Sequence, residues 1–489
     1  MDQLLSGLIS SNTTVGDCCL VALACVLGNK LSFPGTQPYH ASLESYFSQQ
    51  NARLQPHGII SPTTTEDVST AIKAIASTLE NSKPSNCNFA IRSGGHAAFV
   101  GAANIANGVT LDLQGLNQIS VSDDYTTASI GVGATWGEVY SQLDPLGLSV
   151  AGGRAAQVGV GGLTTGGGIS YFSPRYGWAC DTVTNFEVVL ANGTIANANE
   201  EENAELMVAL RGGSNNFGVV TRVDMRTFEQ GPLWGGSVYH SVETIEQNLK
   251  AFVELNSAEA YDEFASLITS FGFASGRGKA VVNSMEYTKA EEDPAVFRPF
   301  MEIPKLLSTM RIASMHEISM EQGSFQPDGR RQLGVVTTHG SALPMLNATY
   351  LHWDASLAAI QDIPGIIWSI SLEPLPPAIY ARSPSNNAMG LDDASDSLVV
   401  TLLSATWDDE VDDAKVEKAA RELFDNIESD ARKLDVYEPF VYLNYAAPWQ
   451  DPITSYKSKS VERLRRVSQD VDPKGLFRLN VPGGFKLSM

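Results

Sequence analysis

A short apolar strand, Phe89-Ala90-Ile91, runs directly into Arg92-Ser93-Gly94-Gly95-His96 and then an alanine-rich loop. This junction constrains the fold more than any other stretch. Paired glycines free the backbone from side-chain sterics, so consecutive N–H groups can converge on an anionic group such as a diphosphate. An imidazole at the edge of that turn can contact, or be bonded to, the molecule carrying the diphosphate. Alone, the same residues also suit a surface turn with a satisfied histidine.

The chain has 489 residues, 43% apolar and 18% charged, enough for two or three domains with a substantial core. Its formal charge of -22 disfavours a nucleic-acid surface and an anionic membrane surface, both of which select for lysine and arginine. No apolar run is long enough to span a bilayer. The stretch Cys18–Leu27 is short, follows Asp17 and lacks a basic flank, so it reads as a helix packed on the body rather than a signal peptide. The expectation is a soluble protein, cytoplasmic if the chain is full length and secreted if a leader has been trimmed. Cys18, Cys19, Cys25 and Cys87 can supply one bridge, while Cys180 lies in a different motif. Neither cysteine nor histidine spacing suggests a metal site, and none is expected.

The first 225 residues alternate short strands and helices. A helix with Val68, Ile72 and Ile75 on one face precedes the strands at 89–91, 109–113 and 127–132, and Thr135-Trp136-Gly137-Glu138 opens another helix. The run Gly159-Val160-Gly161-Gly162-Leu163-Thr164-Thr165-Gly166-Gly167-Gly168 is rich in glycine. It lacks the long following helix and distant acidic residue of a dinucleotide fingerprint. Its glycines instead suit backbone approach to a large planar ligand. Residues 226–434 read as a second domain, an antiparallel sheet covered by helices, with helices expected at about 294–307 and 351–359. Glu373 closes the apolar strand Ile366–Leu372 ahead of Pro374, where a rigid turn can aim its carboxylate into a cleft or leave it solvated. Residues 435–489 form a tail that folds back onto the first domain.

Ordered motifs now accumulate. They are Arg92–His96, Gly108–Leu113, Gly131-Val132-Gly133-Ala134-Thr135-Trp136, Gly161–Gly168 and Tyr176–Asp181. Leu210–Thr221, Tyr442-Leu443-Asn444-Tyr445 and Asp472–Phe477 follow. Together they resemble the vanillyl-alcohol-oxidase/p-cresol-methylhydroxylase flavoproteins, and within them the fungal berberine-bridge-enzyme-like oxidases. The resemblance implies an α+β, two-lobed FAD-binding fold with the substrate over the isoalloxazine. It implies FAD contacts from Arg92, Ser93, Gly94, Gly95, His96, Gly133, Thr135, Gly161, Gly162, Thr165, Gly166, Gly168, Gly218, Val219, Tyr442 and Asn444. Arg92 either balances the diphosphate or pins its loop.

His96 stands where such enzymes link imidazole to the flavin. Many relatives add a second link through a cysteine four residues before Gly159, but Ala155 occupies that position, so His96 is expected to be the sole tether. Leu163 replaces a frequent histidine and makes that pocket edge less polar. Family position points to Tyr442 as the base, oriented by Asn444, with Glu373 as the alternative. The implied reaction is oxidation of a small alcohol, sugar or secondary-metabolite intermediate, with O₂ as acceptor, by a monomer or weak dimer. Oxidative cyclisation on the same flavin fold stays open.

Overall fold

A computed structural model describes all residues except 1–17, 82–86, 258, 260, 381, 383–385, 392–393 and 489. Among the described residues chain order builds three large sheets and a two-stranded pair, Leu148–Ser149 with Phe228–Glu229. The first is four-stranded, in the order Leu31–Ser32, Gly58–Ile60, Val109–Asp112, Phe89–Arg92, with both pairs involving Val109–Asp112 parallel. The helix Thr65–Asn81 packs on the strands Val183–Val189 and Ile195–Ala198, burying Val68, Ile72 and Ile75 as their spacing requires. The helix Cys18–Leu27 packs on Thr65–Asn81, and a disulfide ties Cys19 to Cys87, just upstream of the strand that delivers Arg92. Among the described residues no helix is long and apolar enough to cross a membrane.

The second sheet is antiparallel, in the order Ile119–Val121, Thr127–Gly131, Val219–Arg226, Val183–Val189, Ile195–Ala198. The third contains nine antiparallel strands, with Gly278–Tyr287, Ala265–Ala274, Ile367–Leu375, Leu398–Trp407 and Arg331–Gly340 at its centre. Its two faces differ sharply. Leu267, Phe271, Val281, Met285, Trp368, Ile370 and Leu403 project from one face into an apolar core beneath the helices Ile245–Asn256, Leu343–Ile360 and Asp413–Lys433. Full burial of each large apolar side chain contributes roughly 1.5–3 kcal/mol. Strand alternation places Ser270, Ser369, Ser371, Glu373 and Ser404 on the opposite face, and all of these except Glu373 keep accessible surface.

Two local expectations need correction. The helix expected at 294–307 is a short helical segment ending at Met301, followed by the strand Lys305–Ser308 on the sheet edge. Pro304 supplies no N–H to continue a helix, and the edge offers backbone partners instead. Glu373 does not end its strand in solvent: pairing continues to Leu375, and Glu373 is buried opposite Val400.

The candidate flavin cradle and its proton-handling cluster

Arg92 shapes the turn from behind. Its guanidinium is fully buried, donates to Ser42 O (2.5 Å) and Ser45 O (2.8 Å), pairs with Asp112 (3.3 Å) and lies over the Tyr46 ring at 3.7 Å. Through these contacts the guanidinium pins the turn from behind. Gly95 takes φ +72°, and a Cβ there would meet Arg92 Nε at 2.7 Å, so glycine is required on both counts. Ser93 Oγ donates to Val132 O (2.6 Å) and accepts from Gly161 N (3.1 Å). This one hydroxyl stitches the turn to both downstream motifs.

The glycine run forms the short helix Val160–Thr165. Gly94 and Gly159 lie backbone to backbone, since a Cβ on Gly94 would sit 2.6 Å from Gly159 Cα, whereas Gly162 faces open space. Thr165 Oγ1 is turned back to Gly161 O (2.9 Å). Val160 N and Gly161 N reach Ala134 O and Val132 O, holding the segment with Gly133 and Thr135 alongside. Gly133 is packed against Leu113 O, and Thr135 caps the helix Trp136–Leu143 in a reciprocal box with Glu138. Gly218 packs against Val188 and Val189, and Val219 begins the neighbouring strand. These four residues build the wall of the cradle by packing and capping.

His96 lies against Phe47, rings stacked with centroids 3.9 Å apart. Its imidazole sits deep in the fold yet keeps accessible surface, and desolvation pulls its pKa down to about 4. A neutral imidazole that keeps accessible surface, directly after the paired glycines Gly94 and Gly95, fits a bound FAD.

Tyr442 and Tyr445 differ in a way their spacing conceals. Tyr442 is buried, and its hydroxyl accepts N–H bonds from Gly168 (3.1 Å), Ile169 (3.1 Å) and Asn444 Nδ2 (3.0 Å). Burial pushes its pKa up despite those donors. Asn444 also donates to Leu163 O (3.0 Å), and Gly166 is required because a Cβ there would strike Asn444 Oδ1 at 2.0 Å. Tyr442 and Asn444 thus brace the Gly166–Gly168 turn.

Tyr445 keeps accessible surface, and its ring meets Tyr442 edge-on at 4.8 Å. Its hydroxyl receives Arg154 Nη2 (2.6 Å) and donates to Glu373 Oε1 (3.1 Å). Arg154 also pairs with Glu373 Oε2 at 2.7 Å. Burial raises the Tyr445 pKa, and the adjacent guanidinium opposes that rise. Burial works against the Arg154 charge, but Glu373 more than offsets it, so the guanidinium stays charged. Arg154 and Tyr445 were not singled out from the sequence. Arg154 directly precedes the Ala155 position, and Tyr445 ends the same motif as Tyr442.

An FAD binding domain family model matches residues 56–199. The chain is 35% identical over 484 residues to the FAD-dependent monooxygenase CTB5 of Cercospora beticola, covering 96% of this chain and 91% of that protein. It is also 42% identical over 470 residues to oligopeptidase PhomG' of Diaporthe leptostromiformis; this covers 95% of the chain but only 37% of that longer protein. BBE-like 1 of Physcomitrella patens shares the fold, with TM-score 0.77 at 18% identity, covering 98% of this chain and 100% of that one. With the fold shared with BBE-like 1, the matched FAD binding domain and a relative covered over nine tenths of its length, the chain belongs to the FAD-dependent oxidoreductases.

Proposed function

We propose that the chain is an FAD-linked oxidase that takes a hydride from a small alcohol, sugar or secondary-metabolite intermediate, with O₂ as electron acceptor and His96 as sole covalent tether. The observation that supports this most is Tyr445 held between Arg154 and Glu373 on the accessible side of the cradle. Bound FAD supplies the two-electron acceptor. Tyr445 accepts the proton of the substrate O–H or N–H while its own phenolic proton passes to Glu373. Arg154 stabilises the negative charge that moves onto the substrate oxygen or nitrogen.

This reading moves the base from Tyr442 to Tyr445 and makes Glu373 the terminal proton acceptor. Tyr442 is unsuited to the role because three N–H donors already surround its oxygen. Ala155 offers no thiol for a second flavin link.

The test is a panel of alcohols, sugars and phenolic intermediates assayed in air for peroxide and consumed substrate. One peroxide per substrate oxidised, lost in Tyr445→Phe, is expected. Enzyme reduced by substrate that is reoxidised only by a quinone or dye, and not by air, contradicts the oxidase assignment.

A further inference from the structure

With Arg92 turned away toward Asp112, the cradle has backbone donors but no cation of its own motif facing it. A diphosphate carries two negative charges, and a cation beside the backbone N–H donors adds charge-assisted hydrogen bonds to theirs. The C-terminal segment brings in another basic residue. Gly483 packs onto Gly101 O and Ala102 O, in the loop that follows His96, and Phe485 packs on Phe99 with centroids 5.4 Å apart. Asn215 Nδ2 donates to Gly483 O (3.1 Å), Asn216 Nδ2 to Phe485 O (3.0 Å), and Leu487 N to Asn216 Oδ1 (3.2 Å). The turn Ser214–Asn216 in turn packs against the glycine helix Val160–Thr165. Residues 483–487 therefore form a strap joining the two walls of the cradle.

Lys486 is on this strap, and among the described residues its amine bonds to Asn215 alone, at 2.8 Å to Oδ1 and 3.3 Å to O. Among the described residues no carboxylate is within bonding distance of it. Asp472 is the nearby acid, but its two oxygens are held by the N–H groups of Leu476 and Phe477. Desolvation accordingly pulls the Lys486 pKa down to about 7. Lys486 is half-buried, and a half-buried lysine without a counter-ion carries a desolvation cost that an incoming anion relieves.

We propose that Lys486 supplies the positive charge for the diphosphate of bound FAD, carried on a C-terminal strap that spans the two walls of the cradle. The inference concerns cofactor retention and stands apart from the oxidase assignment.

The test is fluorescence titration of flavin into His96→Ala apoprotein, where binding is reversible. It is run on the wild-type chain if that chain itself releases flavin on denaturation. Lys486→Met should weaken FAD about 10- to 100-fold, the scale of a hydrogen bond to a charged group, and leave riboflavin, which has no diphosphate, unchanged. Lys486→Arg should keep FAD affinity within a few-fold of the parent. Equal weakening of FAD and riboflavin, or no weakening of either, would overturn the assignment, as would Lys486→Arg behaving like Lys486→Met.

Discussion

Tyr445 Oη lies 2.6 Å from Arg154 Nη2 and 3.1 Å from Glu373 Oε1. One phenol is thus held between a cation on the segment preceding the glycine helix and a carboxylate on the large antiparallel sheet. That arrangement can accept a proton on one side and release one on the other.

Tyr445→Phe removes the proton acceptor and should lower kcat about 10²- to 10⁴-fold while flavin content is kept. Tyr442→Phe instead strips the Gly168 and Ile169 N–H groups of their acceptor. It should cost about 1–3 kcal/mol of stability per buried group left unpaired, with the smaller effect on kcat. Steady-state kinetics and thermal melting of both variants separate the two roles. The reverse pattern would return the base to Tyr442.

Arg154→Met leaves Glu373 buried without its cation and should destabilise the protein by about 3–5 kcal/mol. Adding Glu373→Leu should recover much of that loss without restoring turnover. Chemical denaturation of the single and double variants measures this. Additive losses in the double variant would show that the pair is not coupled.

The turn at Arg92–His96 was readable from sequence because its rules are local: a strand end, two glycines and a positive φ at Gly95. The apolar alternation of Ile366–Leu372 likewise announced a strand, since one face had to be buried. Arg154 was not readable as Glu373's partner, because 219 residues separate them and only the packing of the Arg154 segment against the large sheet brings them together. Tyr442 and Tyr445 could not be told apart either. Tyr442 caps and Tyr445 ends a single turn of 3₁₀ helix, Leu443–Tyr445, which decides which hydroxyl meets Gly168 and which meets Arg154.

His339 is fully buried, with Nδ1 donating to Gly340 O (3.0 Å) and Nε2 accepting from Thr401 Oγ1 (2.8 Å), and burial lowers its pKa to about 4. The folded state keeps it neutral where the unfolded state, titrating near 6.5, binds a proton. Stability is therefore fully present above about pH 6.5 and falls as pH drops toward 4, by about 3 kcal/mol from this group. His339→Gln should flatten that limb of a pH series of denaturation midpoints. An unchanged slope would assign the limb to other groups.

The Cys19–Cys87 bridge closes a loop of 68 residues. Removing it with a double serine substitution should cost about 4 kcal/mol by loop entropy. The loss is measured by comparing melting of oxidised wild type with the variant. A variant that melts with the wild type would contradict a stabilising role for the bridge.

The central claim is that His96 alone fastens the flavin. The direct measurement is acid precipitation followed by mass mapping of yellow tryptic peptides. The account predicts colour retained in the pellet, one flavin-bearing peptide containing His96, and colour released to the supernatant in His96→Ala. Free flavin from the wild-type protein, or flavin attached to a peptide lacking His96, would contradict it.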